Sequence, residues 1–175
     1  LSSKDTKGRL LVGAAIGIRG DYLERASELI KAGANILVVD IAHGHLDDCL
    51  NAVKKIKSLY DTDVIAGNVA TFYGALDLIK AGADAIKVGV GGGSICTTRI
   101  VSGCGVPQLS AIIDSYECAK QYNMPIIADG GIRNSGAIVK AIAAGASSVM
   151  IGNLLAGSDK TPGEIIQKND GLYKI

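Results

Sequence analysis

Short apolar runs and amphipathic stretches alternate along the chain. The apolar runs predict six strands, at residues 10–15, 36–40, 64–68, 85–89, 125–129 and 148–152. Between the strands, apolar side chains recur at helical spacing, as in residues 22–31, where one face carries Tyr22, Leu23, Ala26, Leu29 and Ile30. Strands that alternate with helices form a parallel sheet covered by helices. The pattern therefore predicts an α/β fold.

One unit of this pattern occurs three times, at residues 31–40, 80–89 and 143–152. In each copy a predicted helix ends in Ala-Gly-Ala, and an apolar strand begins one or two residues later. Glycine ends a helix in a left-handed conformation, and small neighbours let the chain turn tightly into the sheet. The repeat indicates that the fold is built from copies of one strand–helix unit.

Polar or glycine-rich residues follow several of the predicted strands. They are Asp40, Gly67-Asn68, residues 89–93, residues 129–131 and Gly152-Asn153. Parallel barrels carry their active sites at these strand ends, whereas a doubly wound sheet concentrates glycines after its first strand. We therefore predict a parallel (β/α)8 TIM barrel. Eight units close such a barrel, and this chain supplies about six, so we expect residues 1–175 to be part of a larger barrel.

Charge and composition narrow the classes of partner. The formal net charge is +1 and Lys and Arg do not cluster, which argues against a nucleic-acid-binding protein. The longest apolar runs are too short to span a membrane, and the N-terminal residues do not form a signal pattern, so we expect a cytoplasmic protein. The four cysteines show no CxxC spacing, and we expect neither disulfides nor a zinc site.

Residues 87–108, KVGVGGGSICTTRIVSGCGVPQ, carry the most distinctive pattern. Residues 91–93 are glycines, which allow positive φ and can turn backbone amides or carbonyls toward a ligand. Ser94 can add a hydroxyl to a phosphate. Cys96 is predicted on a polar loop at a strand end, where a thiolate is accessible. A lone cysteine is more often a buried hydrophobic residue, so the surrounding motif decides the interpretation.

This segment resembles the catalytic loop of the IMP dehydrogenase and GMP reductase family, and the resemblance runs from Ser3 to Glu164. It implies that Cys96 attacks C2 of a purine nucleotide, that a hydride leaves to the nicotinamide, and that the covalent adduct is hydrolysed. It also implies that residues 1–175 are the C-terminal part of a TIM-barrel catalytic domain. Thr98 is given a supporting role near the reacting centre.

The same resemblance implies a potassium ion, held by the backbone carbonyls of Gly91, Gly93 and Cys96. The family commonly has Pro where Gly92 stands, and glycine gives the free loop more conformational freedom. At Cys104 the family usually has Val. We interpret Cys104, and also Cys49 and Cys118 in their helical stretches, as structural residues.

Nucleotide contacts are implied at two further strand ends. Asp129 can accept hydrogen bonds from two ribose hydroxyls, although alone it would be as consistent with a solvated turn. Gly131, Gly152 and Asn153 are expected to bind the phosphate with Ser94, in the late-barrel position typical of this fold. The family often has Ser at the position of Asn153, which retains a hydrogen-bond donor.

The dinucleotide side is implied at Asp40, Asn68 and Gly89. His43 and His45 follow Asp40 and resemble a metal pair, but a third ligand is not evident in the sequence. We interpret them as polar loop residues near the dinucleotide.

Residues 10–17 and 100–103 resemble IMP dehydrogenase more than GMP reductase. We therefore predict NAD-dependent oxidation of IMP to XMP in guanine nucleotide biosynthesis, with IMP, NAD and potassium as ligands. Two alternatives stay open: a GMP reductase, which deaminates GMP to IMP with NADPH, and a catalytically incomplete nucleotide-binding module. A dehydrogenase needs a flap with a base that activates water, and this chain carries none after Tyr173. The resemblance also implies a homotetramer.

Overall fold

The computed structural model describes residues 2–174 and contains one six-stranded parallel sheet. Its strands pair in chain order: β1 (Gly13–Ile16), β2 (Ile36–Asp40), β3 (Asp63–Val69), β4 (Ala85–Val88), β5 (Ile126–Asp129) and β6 (Ser148–Met150). The sheet curls into a partial (β/α)8 barrel, which confirms the predicted fold class. Within the described residues, β1 and β6 are its two open edges.

Helices connect the strands and cover one face of the sheet. They are α1 (Tyr22–Lys31), α2 (Asp47–Leu59), α3 (Phe72–Lys80), α4 (Thr98–Val101), α5 (Gln108–Ala119) and α6 (Ser135–Ala143), with short 3-10 turns at Lys120–Tyr122 and Asn153–Leu155. Side chains cap two of them: the Thr71 hydroxyl accepts the Gly74 amide at 3.1 Å, and Asn134 Oδ1 accepts the Ala137 amide at 2.9 Å. Such caps satisfy amides that a helix leaves free at its first turn.

The Ala-Gly-Ala repeats end α1, α3 and α6 as predicted. Their glycines have φ of +98° at Gly33, +99° at Gly82 and +114° at Gly145, a conformation that side chains rarely adopt. Gly145 is required for a second reason, because a Cβ there would collide with the ring of Tyr116 on α5. This glycine therefore sets both the turn into β6 and the approach of α5.

The core lies between the sheet and the helices. Alternate strand residues are fully buried there, such as Leu37 and Val39 on β2 and Ile86 and Val88 on β4. They form one cluster with helix residues that include Val53, Ile56, Ala75, Leu78 and Ile112. The other set of strand residues lies on the opposite, concave face, because successive side chains of a strand point to opposite faces. Asp40 and Lys87 belong to this second set.

Most predicted strand boundaries agree within two residues, but the first strand begins three residues later than predicted. β1 begins at Gly13, and residues 10–12 have exposed side chains, with Leu10 61% exposed. Leu10 instead forms an isolated antiparallel bridge with Lys4, and Asn35 Oδ1 accepts the Val12 amide at 2.9 Å. Apolar composition could not distinguish this extended segment from a strand, because pairing depends on a distant partner.

An antiparallel hairpin of β7 (Ile165–Lys168) and β8 (Gly171–Lys174) was not predicted. Its turn residues are Asn169 and Asp170, which are typical of two-residue hairpin loops and were the available signal. Lys174 Nζ donates to the carbonyl of Ser158 at 2.7 Å and so ties the hairpin to the preceding loop. No helix in residues 2–174 is long and apolar enough to cross a bilayer.

Candidate active site

Polar side chains from four neighbouring strands meet at the carboxyl end of the sheet. Asp40 ends β2, Asn68 lies near the end of β3, Lys87 lies near the end of β4, and Asp129 ends β5. Parallel pairing in chain order brings these ends together at one rim. Three of the four residues were predicted at the site, and Lys87 was not.

Lys87 is the centre of this group. Its side chain is only 2% exposed, and its Nζ lies 2.9 Å from Asp40 Oδ1 and also contacts Asp129 Oδ2. A buried ammonium is costly unless carboxylates compensate it, and here two do. Lys87 begins the glycine-rich segment at residues 87–108, but the sequence alone assigned it no role. The signal was a charged residue between two apolar neighbours, Ile86 and Val88, in the middle of a buried strand.

Gly67 provides the space for this contact. In the strand register Asp40 pairs with Gly67, and Gly67 pairs with Lys87, so a residue without a side chain separates the two charged residues. A Cβ on Gly67 would lie 2.5 Å from the Lys87 carbonyl oxygen and 2.7 Å from Lys87 Cβ. Both contacts are too short for a real side chain. Glycine at this position therefore permits the Asp40–Lys87 ion pair.

Asn68 links Asp129 to the glycine-rich loop. Its Nδ2 donates to Asp129 Oδ2 at 2.9 Å and to the Gly89 carbonyl at 2.8 Å. Its Oδ1 is buried and has no hydrogen-bond partner among the described residues. Buried polar atoms usually have partners, so an unpartnered acceptor at a strand end is available to a ligand that donates a hydrogen bond.

Residues 89–93 and residues 129–131 form two loops in close contact. Gly89 has φ of +145°, and a Cβ there would collide with the Asp129 carbonyl oxygen. Gly130 has φ of +107°, and a Cβ there would lie 3.0 Å from the Gly93 nitrogen. The predicted catalytic loop and the predicted ribose loop are therefore packed backbone against backbone, which only glycine allows at these positions.

Gln108, the first residue of α5, fills the space beneath these loops. Its Nε2 donates to the Val88 carbonyl at 2.8 Å, while its Oε1 is buried without a partner in the part of the chain that the structure describes. A Cβ on Gly92 would lie 3.4 Å from this Oε1. Gln108 is a second residue that sequence reasoning missed, since the polar first residue of a predicted helix gives no distinctive signal.

Cys96 lies on the loop between β4 and α4, where its side chain is partly exposed. A hydrogen bond with the Thr98 side chain, amide hydrogen bonds from Thr98 and Gly91, and the positive charge of Arg99 together lower the pKa of the Cys96 thiol. The Cys96 amide also donates to the Gly93 carbonyl at 3.2 Å, which curls the loop. A lowered pKa and an accessible position are the conditions for a reactive thiolate.

The other three cysteines lie in different environments. Cys49 in α2 and Cys118 in α5 are buried, and burial raises the pKa of Cys49 to about 11 and also raises the pKa of Cys118. Cys104 is exposed in a loop and does not support the core. This exposure differs from what the interpretation of Cys104 as a structural residue implied. The Cys104 sulfur makes a weak contact with the Ser102 carbonyl oxygen, at 3.6 Å.

One cavity of about 250 Å³ joins the cysteine to the strand ends. Its lining includes Asp40, Asn68, Gly89, Gly91, Cys96 and Thr98. The predicted nucleophile, its predicted supporting residue and all three predicted dinucleotide residues thus face one space. The structure brings together side chains that are 56 positions apart in sequence, from Asp40 to Cys96.

The predicted phosphate residues lie outside this cavity. Ser94 and Gly131 are exposed in the two contacting loops, and Gly152 and Asn153 are exposed after β6. Because β6 pairs with β5, the last two residues follow the strand end next to Asp129. Asn153 begins a single 3-10 turn, in which the Leu155 amide donates to the Gly152 carbonyl at 2.9 Å.

The two histidines do not form a metal pair. His45 Nε2 lies 2.8 Å from Asp77 Oδ2 on α3, and the two histidine rings are 6.5 Å apart, edge to face. Residues 2–174 contain no group of three or more His, Cys, Asp or Glu side chains arranged to hold a metal ion. Their loop is held against β3, because the Gly44 amide donates to the Asn68 carbonyl at 2.7 Å. His45 therefore links this loop to α3.

Known proteins of one family match the chain along its whole length. The family model for the IMP dehydrogenase / GMP reductase domain matches residues 1–175. An inosine-5'-monophosphate dehydrogenase of Nitrosopumilus maritimus is 55% identical over 175 residues, with 99% of this chain and 37% of that protein covered. The corresponding enzyme of Rhodopirellula baltica is 61% identical over 173 residues, with 98% and 32% covered. A GMP reductase of Leishmania major is 55% identical over 174 residues, with 98% and 35% covered.

A solved structure shows the same fold. The crystal structure of a GMP reductase from Trypanosoma brucei superimposes with a TM-score of 0.95 at 53% identity, and covers 99% of this chain and 39% of that one. The chain spans about a third of the length of the curated relatives that it matches. Because the family model, the level of identity and the shared barrel agree, the chain belongs to the IMP dehydrogenase / GMP reductase family.

Proposed function

We propose that the protein oxidises IMP to XMP with NAD⁺, through a covalent thioimidate on Cys96. The observation that carries this proposal is the shared cavity of Cys96, Asp40, Asn68 and Gly89, together with the lowered pKa of the Cys96 thiol. A thiol with a lowered pKa that faces a second ligand site is suited to attack one ligand beside another.

In this reaction the Cys96 sulfur forms a bond to C2 of the purine. The hydride that leaves C2 reduces the bound nicotinamide, and water then cleaves the carbon–sulfur bond to release XMP and the free thiol. Thr98 favours the thiolate before attack because its hydroxyl is hydrogen-bonded to the sulfur. Asp129 accepts hydrogen bonds from the ribose, and Ser94, Gly131, Gly152 and Asn153 bind the phosphate.

The dinucleotide residues suit a nicotinamide by their chemistry. Its carboxamide carries N–H donors, and the buried Asn68 Oδ1 is an acceptor without a partner among residues 2–174. Asp40 Oδ1 is occupied by Lys87, and the exposed part of this carboxylate faces the cavity. Gly89 lines the same cavity. NAD⁺ supplies the hydride acceptor.

A potassium ion at the Gly91, Gly93 and Cys96 carbonyls also remains part of the proposal. These oxygens are neutral donors on one short loop, which suits a large monovalent cation. Gly91 has φ of +82°, and the Gly93 carbonyl already accepts the Cys96 amide. The loop is therefore curled at the residues whose carbonyls would bind the ion. Turnover with potassium that is lost in sodium would support this site. Turnover independent of the cation would contradict it.

GMP reductase is the second candidate, because relatives of that name match as well as several dehydrogenases do. Both reactions would use the thioimidate at Cys96. In the dehydrogenase NAD⁺ would accept the hydride from C2 and water would then hydrolyse the adduct. In the reductase ammonia would leave C2 of GMP, and NADPH would then donate a hydride to C2 to release IMP and the free thiol. A homotetramer also stays a prediction, which light scattering on the full-length protein would check.

The deciding experiment starts with the full-length protein. It is incubated with IMP, NAD⁺ and potassium, quenched in acid, and analysed by intact mass and by a digest that covers Cys96. A nucleotide-sized adduct on Cys96 that requires NAD⁺, together with XMP, would establish the dehydrogenase. IMP formed from GMP and NADPH, without XMP in the first reaction, would establish the reductase. Nucleotide binding with neither product would indicate a binding module.

A further inference from the structure

We infer that Lys87 is a positioning residue that connects the nucleotide side of the site to the dinucleotide side. The inference rests on the proposed function, which assigns Asp129 to the ribose and Asp40 to the nicotinamide. Lys87 is the one charged side chain that is almost fully buried in residues 2–174. Its ammonium group touches both carboxylates, so a single residue controls the position of two ligand contacts.

The backbone determines where this ammonium lies. Lys87 is on β4, between β3 with Gly67 and β5 with Asp129. The missing side chain at Gly67 opens the path to Asp40, two strands away, and Asp129 is two residues beyond Ile127, the register partner of Lys87. Rigid strands therefore hold the three charged groups, and Lys87 cannot leave both carboxylates without leaving its own buried ammonium unpaired.

The charges in this group do not balance. Two carboxylates and one ammonium leave a formal charge of −1 at the rim, and Asn68 adds a neutral hydrogen bond to Asp129. If the ammonium is removed, two negative groups that it held together repel each other, and both reorient. Each carboxylate serves a different ligand in the proposed function. Loss of Lys87 should therefore weaken the binding of both ligands, whereas loss of one carboxylate should weaken the binding of only one.

The test compares four variants of the full-length protein. Lys87→Met removes the charge and keeps much of the length, and Lys87→Arg keeps the charge. Asp40→Asn and Asp129→Asn each remove one carboxylate. IMP binding is measured by calorimetry without dinucleotide, and the KM for NAD⁺ and kcat are measured by NADH formation. Leu78→Ala is the control for lost stability, because Leu78 is fully buried on α3 away from the rim.

Lys87→Met is expected to weaken IMP binding and to raise the KM for NAD⁺, each by about tenfold or more, since it deprives two hydrogen bonds of their charged donor. Lys87→Arg is expected to recover most of both losses. Asp129→Asn should change mainly IMP binding, and Asp40→Asn mainly the KM for NAD⁺. Leu78→Ala should lower the melting temperature and leave both ligand constants within about twofold.

A second variant keeps the test decisive if Lys87→Met does not fold. Lys87→Met with Asp40→Asn has one carboxylate and the wild-type formal charge of −1, which removes the repulsion. It should still bind IMP more weakly than Asp40→Asn alone. Equal IMP binding by these two proteins, or a Lys87→Met effect on only one ligand, would overturn the inference while the proposed function stands. A wild-type protein that binds no purine nucleotide would overturn both.

Discussion

The helix-covered core and the strand-end rim are built from the same strands, yet they differ in the chemistry of the side chains that they bury. In the core, alternate residues such as Leu37, Val64 and Ile126 are fully buried among other apolar side chains. At the rim, Asn68 and Gln108 each bury an oxygen without a partner among the described residues. The core supplies stability, whereas the rim keeps polar groups available for ligands at the expense of stability.

Cysteine shows the same difference within one residue type. Burial in α2 raises the pKa of Cys49 to about 11, which makes it inert at neutral pH. On the loop after β4, hydrogen bonds with Thr98 lower the pKa of Cys96. Reactivity therefore follows from the position in the fold rather than from the residue type, and substitutions in the two regions should have different effects.

The largest effect is expected at the rim. Cys96→Ser should reduce turnover by about a thousandfold or more, because the thiolate nucleophile is lost. IMP binding should change by less than about threefold, since the hydroxyl is similar in size. Steady-state NADH formation and calorimetry with IMP measure the two quantities. Cys104→Ser, at the exposed cysteine of a nearby loop, is the matched control and should keep full activity. Turnover by Cys96→Ser at a rate close to that of the wild type would contradict the covalent mechanism.

In the core, Leu78→Ala should lower the free energy of unfolding by about 3 kcal/mol, because the fully buried side chain leaves a cavity. Urea unfolding followed by circular dichroism measures this change. The turnover of the protein that remains folded should be unchanged. A parallel loss of kcat would show that the core and the rim are not as separate as the structure indicates.

Gly67→Ala tests the place where the two regions meet. The added methyl group would lie 2.5 Å from the Lys87 carbonyl oxygen, so we expect a loss of about 1–3 kcal/mol in the free energy of unfolding. Unlike Leu78→Ala, it should also weaken IMP binding, because β3 and β4 must separate and move Lys87. Gly157→Ala, where a Cβ would meet no atom within 4 Å, is the control. Unaltered IMP binding in a destabilised Gly67→Ala protein would contradict this coupling.

The smallest effect concerns the thiol itself. Thr98→Val removes the hydroxyl that lowers the pKa of Cys96, so this pKa should rise toward that of an ordinary cysteine. The pH at which iodoacetamide alkylates Cys96 at half its maximal rate should move upward, since only the thiolate reacts. Thr98→Ser keeps the hydroxyl and should leave this pH near that of the wild type. An identical pH dependence in Thr98→Val would remove Thr98 from its supporting role.

Much of the barrel could be predicted from the sequence because its units are local. Residues 36–40 and 22–31 carry the periodicity of a buried strand and of an amphipathic helix, and both elements have the predicted bounds. The Ala-Gly-Ala turns also depend on neighbouring residues only. Residues 10–12 were mispredicted because strand formation requires a partner, and their one bridge is to Lys4.

The candidate site was predictable where a motif carried it. The glycine-rich loop, Cys96 and Asp129 stand out in the sequence, and the structure places their loops in contact. Lys87 and Gln108 were missed because their roles depend on neighbours that are distant in sequence: Asp40 is 47 positions from Lys87, and Gln108 reaches back 20 positions to Val88. Periodicity identifies a strand, but it does not identify which side chain meets another across the sheet.

The contact between residues 89–93 and 129–131 has a consequence for protein engineering. Surface loops can often be exchanged between homologues as independent modules. Here Gly89 packs against the Asp129 carbonyl and Gly130 packs against Gly93, so the shape of each loop is set by the other. A chimera that imports one of these segments from a relative must import its counterpart as well, because the pair is the smallest transferable piece of this rim.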